Sequence, residues 1–516
     1  MLDRLFGIDL RSVALLRIIV GGYLLWDLAD RARGLTRDYT DWGAFPREAN
    51  VSMWMGGDYW ERAWAFASFH MASGDAAWQV FLFLLAAVCA FFLMVGYRSR
   101  LFACLSWILM ISLQNRNPIV LTGADQMIRH TIFWAMFLPL GARFSVDGLA
   151  AVCKAYQQSA STRTLSIGSA GILLQTLFLY EFTAALKSAP EWHAEGTALY
   201  YALSIEHYQT TLGRLMLAMP IGFLKLSTWL TMGLEVVGPL LAFIPVATER
   251  IRLWLILLFV LFHLGGIGLL MDVGPICETS VFLWICFLPG LFWDKLSALW
   301  GRLPVSSFKT WLEAKRTGLI HWRNARIVQR VKRGEPLPEL RSTKIAQVVA
   351  ALCLVYILLW NLRVLDKKRY GHFIENLTWV ASLVRLDQYW GMFAPFPFKN
   401  DGWLVLHAIL EEGSEVDLMR GGQLVRWDKP DPVAATYVNE RERKFLMNLY
   451  DQQYTQQRAY FVQYKMLEWL QAHPQQPNKR IRQINLYYML HTTPPPGQPQ
   501  PKPRKLLLFN ESYTKV

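Results

Sequence analysis

Long apolar runs are the feature that most constrains how this 516-residue chain can fold. Hydrophobic residues make up 53% of the sequence, and they are clustered rather than spread evenly. Several runs reach the roughly 20 residues that a helix needs to cross the hydrocarbon of a bilayer. Because the apolar fraction is too high for a soluble enzyme of this length, the sequence predicts a polytopic α-helical membrane protein.

Nine transmembrane helices are predicted from these runs, and the loops between them indicate an orientation. The helices are predicted at residues 12–30, 77–96, 100–117, 127–143, 166–187, 222–246, 251–271, 278–297 and 345–363. The segment 299–344 holds eleven Lys or Arg residues against three Glu residues, which is typical of a cytoplasmic loop. The N-terminus is then cytoplasmic, and residues 31–76, 188–221 and those after about 364 face the exterior.

The chain therefore divides into four predicted regions. Residues 1–298 form a helical transmembrane domain of eight helices, 299–344 a basic cytoplasmic loop, 345–363 the ninth helix, and 364–516 an extracytoplasmic α+β domain.

The last region differs from the rest because it lacks long apolar runs. Residues 401–419 alternate in polarity around a Gly-Ser turn, which predicts a β-hairpin. Residues 439–450 and 455–473 have helical periodicity, and 481–491 and 506–509 are predicted as strands.

Charge and cysteine content exclude two classes of function. The net charge of +14 is explained by basic cytoplasmic loops, so no nucleic-acid partner is predicted. The six cysteines are scattered, mostly within apolar runs, without the spacing of a metal site or a disulfide framework. The sequence predicts no metal centre.

The best candidate for chemistry is Lys187, at the end of the fifth apolar run. It is followed by a break at Ser188-Ala189-Pro190 and then by Glu191 and Trp192. An amine next to hydrocarbon can have its pKa lowered and can act as a base at neutral pH. The alternative is a lysine at a helix end whose ammonium group extends to the lipid headgroups.

Four other polar residues lie in or beside the predicted spans, where such groups are costly. Glu235 and His263 fall in the middle of the sixth and seventh helices, and Asp125 and His130 open the fourth. We predict that Glu235, His263 and Asp125 support Lys187 in an outward-opening cavity. The alternatives are structural: a local i,i+4 salt bridge between Asp125 and Arg129, and a hydrogen-bonded histidine without a catalytic role.

Short motifs along most of the chain resemble one membrane family. In order they are Leu16-Arg17-Ile18, Arg116-Asn117-Pro118, Gly123-Ala124-Asp125, Phe137-Leu138-Pro139-Leu140-Gly141, Ser145-Val146-Asp147-Gly148-Leu149, Lys187 with Trp192 and Gly196, Glu235 before Gly238-Pro239, His263 before Phe287-Leu288-Pro289, Gln388-Tyr389-Trp390-Gly391-Met392-Phe393-Ala394-Pro395, Asp401-Gly402-Trp403, Trp427-Asp428-Lys429-Pro430 and Asn439-Glu440-Arg441. Together they resemble the HTTM-domain family, the membrane superfamily that includes vitamin K-dependent γ-glutamyl carboxylase. Near the position of Gly123-Ala124-Asp125 the carboxylase carries an Asn-His pair instead.

The resemblance implies an activity for Lys187. In the carboxylase, a lysine before a similarly spaced tryptophan acts as a base on a reduced quinone. The deprotonated reduced quinone reacts with oxygen to become a strong alkoxide base, which takes a proton from a glutamate side chain. Carbon dioxide adds to the carbanion, and the quinone leaves as its epoxide. We accordingly predict Lys187, His263, Glu235 and Asp125 as catalytic residues, and Tyr180, Trp192 and His130 as residues that bind the quinone.

The resemblance also implies partners and a location. A lipid membrane holds the chain, and a peptide or protein substrate approaches its outer face. The expected location is a bacterial inner membrane, with the C-terminal domain in the periplasm. The alternative function is a non-catalytic membrane factor that binds a lipid or assists the maturation or export of a peptide.

Overall fold

The computed structural model describes residues 1–54, 67–150, 162–302, 315 and 343–513. The described residues before 385, called the helical part below, include ten helices of nine residues or more: α1 Leu10–Ala32, α2 Ala76–Val95, α3 Ser99–Arg116, α4 Gly123–Ala135, α5 Ile167–Leu186, α6 Ile221–Leu241, α7 Thr248–Leu270, α8 Ile276–Trp284, α9 Gly290–Arg302 and α10 Lys344–Leu365. Most of the predicted basic loop 299–344 and part of the predicted exterior loop 31–76 lie outside the described residues.

Five of these helices are long and apolar enough to cross a membrane: α1, α2, α5, α7 and α10. The count rises to 7 if each of two bent pairs forms one span. One pair joins Thr211–Leu217 to α6 at 113°, and the other joins Ile276–Phe287 to α9 at 94°. These seven elements coincide with seven of the nine predicted segments.

The other two predicted segments, α3 and α4, are helical but are not both long enough and apolar enough to be counted as membrane spans. Helix α3 has 18 residues and ends on the polar side chains of Gln114, Asn115 and Arg116. Helix α4 has only 13 residues, about 20 Å at 1.5 Å per residue, against the roughly 30 Å of hydrocarbon in a bilayer. The prediction of nine spans is therefore not confirmed.

The C-terminal region contains a five-stranded antiparallel sheet, as its alternating sequence predicts. The strands are β1 Asn400–Leu410, β2 Glu415–Asp417, β3 Gln423–Leu424, β4 Ile481–Thr492 and β5 Arg504–Ser512, in the spatial order β3-β2-β1-β4-β5. Two helices, α11 Glu440–Tyr450 and α12 Thr455–Ala472, lie between β3 and β4 in the chain. The predicted hairpin, both predicted helices and both later strands are confirmed.

The hydrophobic core of the C-terminal region also includes side chains from the helical part. Its apolar cluster includes Phe445, Leu449 and Leu486, but also Phe45 from the loop after α1 and Ile119 from the α3–α4 connection. Because these side chains are buried together, the C-terminal region is docked on one end of the helical part by hydrophobic packing.

Polar contacts around His207 reinforce the docking. The Tyr437 hydroxyl lies 2.7 Å from Nδ1 of His207, and Arg443 donates to the His207 carbonyl over 3.1 Å. The backbone N–H of Glu206 donates to Asp401 over 2.6 Å. His207 is 2% exposed. Burial, opposed by Asp401 and aided by Arg443, lowers the pKa of His207 to about 4.

The pKa of His207 predicts a loss of stability in mild acid. The unfolded chain takes up a proton near pH 6.5, whereas the folded chain does so only near pH 4, so this contribution is complete above about pH 6.5 and declines between these values. We expect about 2 kcal/mol to be lost between pH 7.5 and pH 5. Chemical denaturation at both pH values should show this loss in the wild type and a smaller one in His207→Gln. An equal loss in the two proteins would contradict the assignment.

Candidate functional site

Lys187 forms a buried ion pair with Glu235. Its Nζ lies 2.5 Å from Oε2 of Glu235, and the two residues are 4% and 7% exposed. The amine also lies 4.4 Å from the centre of the Trp192 ring, within the range of a cation–π contact. Lys187 is therefore held between a carboxylate and an aromatic face, and it does not extend to open solvent.

The local sequence explains this placement. Lys187 is the first residue after α5, and its ψ of 66° takes the chain out of the helix. The following Ser188-Ala189-Pro190 forms a tight turn in which Trp192 N–H donates to the Ala189 carbonyl over 3.1 Å. His193 closes the turn by donating from Nε2 to the Lys187 carbonyl over 2.6 Å. The turn brings the Trp192 ring back against the amine.

A segment after α10 fixes the turn from the opposite side. The Trp192 indole donates to the Phe393 carbonyl over 3.0 Å, and Ala189 N–H donates to the Pro395 carbonyl over 3.1 Å. Lys399 lies 2.5 Å from the Glu191 carboxylate. Residues 393–399 thus hold the Lys187 turn, and the Gln388–Pro395 motif gave no indication of this contact.

The surroundings of the ion pair are apolar. Ala184, Trp192, Ala198 and Met232 form a buried cluster, with Phe393 packed against it. Charge separation in such surroundings is costly unless the two charges are paired closely. The tight Lys187–Glu235 contact meets that requirement.

A second buried cluster lies on the same helix. Tyr180 lies on α5 two turns before Lys187, about 10 Å away along the helix axis. The Trp284 indole donates to the Tyr180 hydroxyl over 3.0 Å, and that hydroxyl lies 2.7 Å from Nε2 of His263. The Tyr180 hydroxyl therefore bridges a buried indole N–H and a buried imidazole nitrogen.

His263 lies in an irregular part of its helix. Residues Leu261–Ile267 of α7 form a π-helical segment, a local widening that is frequent at functional sites. The His263 ring is stacked 6.3 Å from Phe259 and is 6% exposed. His263 thus forms a defined hydrogen bond with Tyr180, as expected for a structural histidine without a catalytic role.

We expect Tyr180→Phe to destabilise the protein by about 2 kcal/mol, because it leaves a buried indole N–H and a buried imidazole nitrogen without partners. The unfolding midpoint in detergent measures this effect. Tyr389→Phe, at a residue that is 60% exposed, is the matched control and should have no effect. Equal midpoints for wild type and Tyr180→Phe would refute the proposed hydrogen-bond bridge.

Asp125 belongs to a different cluster from the one predicted. It forms ion pairs with Arg31 and Arg441, and each of these arginines also pairs with Asp27, over 2.8 Å and 2.7 Å. All four residues are at least nine-tenths buried. Arg129, the predicted i,i+4 partner of Asp125, instead pairs with Asp387 over 3.2 Å.

This cluster, Asp27–Arg31–Asp125–Arg441, connects the helical part to the C-terminal region. Arg441 is in α11, whereas the other three residues are in α1 and α4. Two cations and two anions balance there, and the structure gives Asp125 a docking role. The Gly123-Ala124-Asp125 and Asn439-Glu440-Arg441 motifs each contain one member of the cluster, but neither indicates that the two residues pair.

His130 is likewise placed apart from the ion pair. Its Nδ1 lies 2.7 Å from the Gln126 carbonyl, and its ring lies 6.1 Å from Trp390. Among the described residues it shares no hydrogen bond or ring contact with Lys187, Tyr180 or Trp192. Of the predicted site residues, the structure thus brings together Lys187, Glu235 and Trp192 in one cluster, and Tyr180 and His263 in the next.

Within the described part of the chain, no group of three or more His, Cys, Asp and Glu side chains could hold a metal ion. Comparison with protein-family models, curated proteins and solved structures finds no match to this chain. The case for a function therefore depends on the geometry of the site.

Proposed function

We propose that this chain is a membrane-embedded enzyme of the HTTM type, related to vitamin K-dependent γ-glutamyl carboxylase, in which Lys187 is the base. The observation that carries the proposal is the buried contact of 2.5 Å between the Lys187 amine and Glu235, at the end of a 20-residue apolar helix. A lysine that only extended to headgroups would be exposed at its nitrogen, whereas Lys187 is 4% exposed.

The pair offers a route to a neutral amine. Transfer of one proton from Lys187 to Glu235 across the hydrogen bond replaces two buried charges with two neutral groups, which lowers the cost of desolvation. A neutral amine can accept a proton from an acidic hydroxyl, and the resulting ammonium is stabilised by the Trp192 ring. Glu235 is in this account the group that holds the proton while Lys187 is free.

The side chains around the pair fit a lipid-soluble aromatic co-substrate. Ala184, Ala198, Met232 and Phe393 provide apolar surface, and Trp192 provides an aromatic face. A reduced quinone, with oxygen, would supply the strong base that is needed for carboxylation by carbon dioxide or for a related modification. Tyr180 is in this proposal a positioning residue, because it acts through its bonds to His263 and Trp284.

The location and the partners are part of the same proposal. The apolar helices support a location in a membrane, and we propose a bacterial inner membrane with the N-terminus in the cytoplasm and the C-terminal sheet outside. A peptide or protein substrate would then approach from the outer side, where the loop after Lys187 meets residues 393–399.

Epoxide formation from a reduced lipid quinone tests the proposal. Purified protein in lipid nanodiscs is supplied with the quinol, oxygen and bicarbonate, and the quinone products are measured by mass spectrometry. We expect the wild type to form the epoxide and Lys187→Ala to lose at least a hundredfold in rate, the order of effect of a general base. Lys344→Ala, an exposed lysine at another helix end, is the matched control and should keep the wild-type rate.

One observation favours a second function. The Lys187–Glu235 contact satisfies both charges, so the same cluster can hold a lipid or stabilise the fold without a reaction. If the wild type forms no epoxide and an unchanged lipid co-purifies with both wild type and Lys187→Ala, the chain is a non-catalytic membrane factor for lipid binding or for peptide maturation or export.

A further inference from the structure

A cavity of about 580 Å³ lies where the C-terminal region meets the helical part. The sheet contributes Trp403 and Tyr488 to its wall, helix α11 contributes Met447, and the helical part contributes His207. The rest of the wall comes mainly from the loop between β3 and α11. The volume is in the range of about 300–1,000 Å³ that is typical of sites for small molecules.

Part of the wall is apolar. Leu404, Val405, Leu446, Pro430 and Pro432 line it together with the aromatic side chains. An apolar body that enters such a cavity is removed from water, and this is the main favourable contribution to binding. The wall therefore favours a ligand with a hydrocarbon or aromatic part.

Some of the charged residues that line the cavity have ion-pair partners and others do not. Lys429 pairs with Glu206 over 2.6 Å, and Asp431 pairs with Arg214 over 2.7 Å. These two lining residues are thus neutralised by partners from the segment between α5 and α6.

Arg420 and Arg426 also line the cavity, and both are exposed. Neither guanidinium group forms a hydrogen bond or an ion pair with the described residues. Asp428 is an exposed lining residue whose carboxylate also forms no ion pair with the described residues. Guanidinium groups that are not engaged in ion pairs can bind a carboxylate in a bidentate manner, which favours an anionic group on the ligand.

Asp417 is a further carboxylate of the wall, and the nearby Arg420 favours its charged form. It is 1% exposed, and its Oδ1 accepts backbone N–H groups from Leu406 over 3.2 Å and from Met419 over 3.0 Å. Burial raises the pKa of Asp417 above its usual range, although these hydrogen bonds oppose the shift.

Two buried nitrogen atoms of lining residues are also without partners. They are Nε1 of Trp403 and Nε2 of His207, in side chains that are 4% and 2% exposed. Indole N–H can only donate, and the other His207 nitrogen is bonded to Tyr437. Both atoms are covered from solvent, so a ligand would reach them only after a small shift of the wall. The Trp403 N–H lacks an acceptor, which agrees with a ligand that carries one.

We propose that this cavity binds a small organic acid, an apolar body that carries a carboxylate, with the carboxylate held by Arg420 and Arg426. This site is separate from the Lys187 cluster, and the proposal does not depend on the function proposed there. It assigns the C-terminal region a ligand of its own at the joint with the helical part.

Ligand-observed NMR on the full chain in detergent tests the site, with 4-phenylbutyrate as the probe and 4-phenylbutanol as its neutral analogue. We expect the acid to bind measurably and more tightly than the alcohol. Replacing both arginines (Arg420→Gln with Arg426→Gln) should weaken binding of the acid about tenfold, since each exposed ion pair contributes modestly. Ala435→Trp, which fills the cavity, should remove binding.

A control variant distinguishes binding in the cavity from non-specific binding to exposed arginines or to detergent. Arg482→Gln removes an exposed arginine from β4, away from the residues that line the cavity, and should leave the affinity unchanged. Three results would overturn the proposal: no binding of the acid to the wild type, equal affinity for acid and alcohol, or unchanged affinity in the double arginine variant. Binding that survives Ala435→Trp would also overturn it, because the probe would then lie elsewhere.

Discussion

Replacing Lys187 with methionine is expected to destabilise the protein by about 3–5 kcal/mol, the cost of leaving one partner of a buried ion pair uncompensated. Methionine keeps the length and the apolar stem of lysine but removes the charge. Glu235 would then be a carboxylate that is 7% exposed, without the amine at 2.5 Å. Chemical denaturation in detergent, followed by tryptophan fluorescence, measures the loss.

The double variant Lys187→Met with Glu235→Gln separates the two roles of the pair. Because neither side chain is then charged, we expect the double variant to recover most of the stability that the single variant loses. If it recovered none, the loss would come from packing rather than from charge, and the ion pair would not be the main contribution of Lys187 to the fold.

Replacing Arg441 with methionine is expected to cost about 3–5 kcal/mol as well, and to loosen the C-terminal region in particular. Asp27 and Asp125 would be left with Arg31 as their ion-pair partner, in a place where all four residues are buried. Hydrogen exchange should increase across α11 and the adjoining α3–α4 connection, because Arg441 also donates to the Val120 carbonyl over 3.0 Å.

Arg482→Met is the matched control for Arg441, since it removes an exposed arginine from the same region. It should change neither stability nor exchange. Hydrogen exchange in Arg441→Met that remained at the wild-type level would contradict the docking role of the Asp27–Arg31–Asp125–Arg441 cluster.

The elements of the fold follow closely from local sequence. Apolar runs predicted α1 and α5 within three residues, and alternation predicted β1 and β2, because these signals reside in neighbouring residues. The run that contains α4 did not predict its length. That helix ends after 13 residues at Ala135, although apolar residues continue beyond it.

The pairing of side chains could not be predicted in the same way. Glu235 was placed near Lys187 only as one of several groups, since 48 residues separate the two. Asp125 is predicted in the same cluster because a charged group beside a membrane span is costly, and the predicted structural alternative is a local i,i+4 salt bridge to Arg129. Its true partners include Arg441, which is 316 residues away and comes from another region of the fold. Contacts of this kind depend on how the helices and the sheet pack together, which no local pattern contains.

The quinol assay on the charge-neutral double variant tests the role of Lys187 most directly, because that variant is expected to be folded but has no amine. If Lys187 is the base, wild-type protein converts the reduced quinone to its epoxide, the double variant forms none, and added methylamine restores part of the rate. Epoxide formation at the wild-type rate by a folded double variant would contradict the assignment.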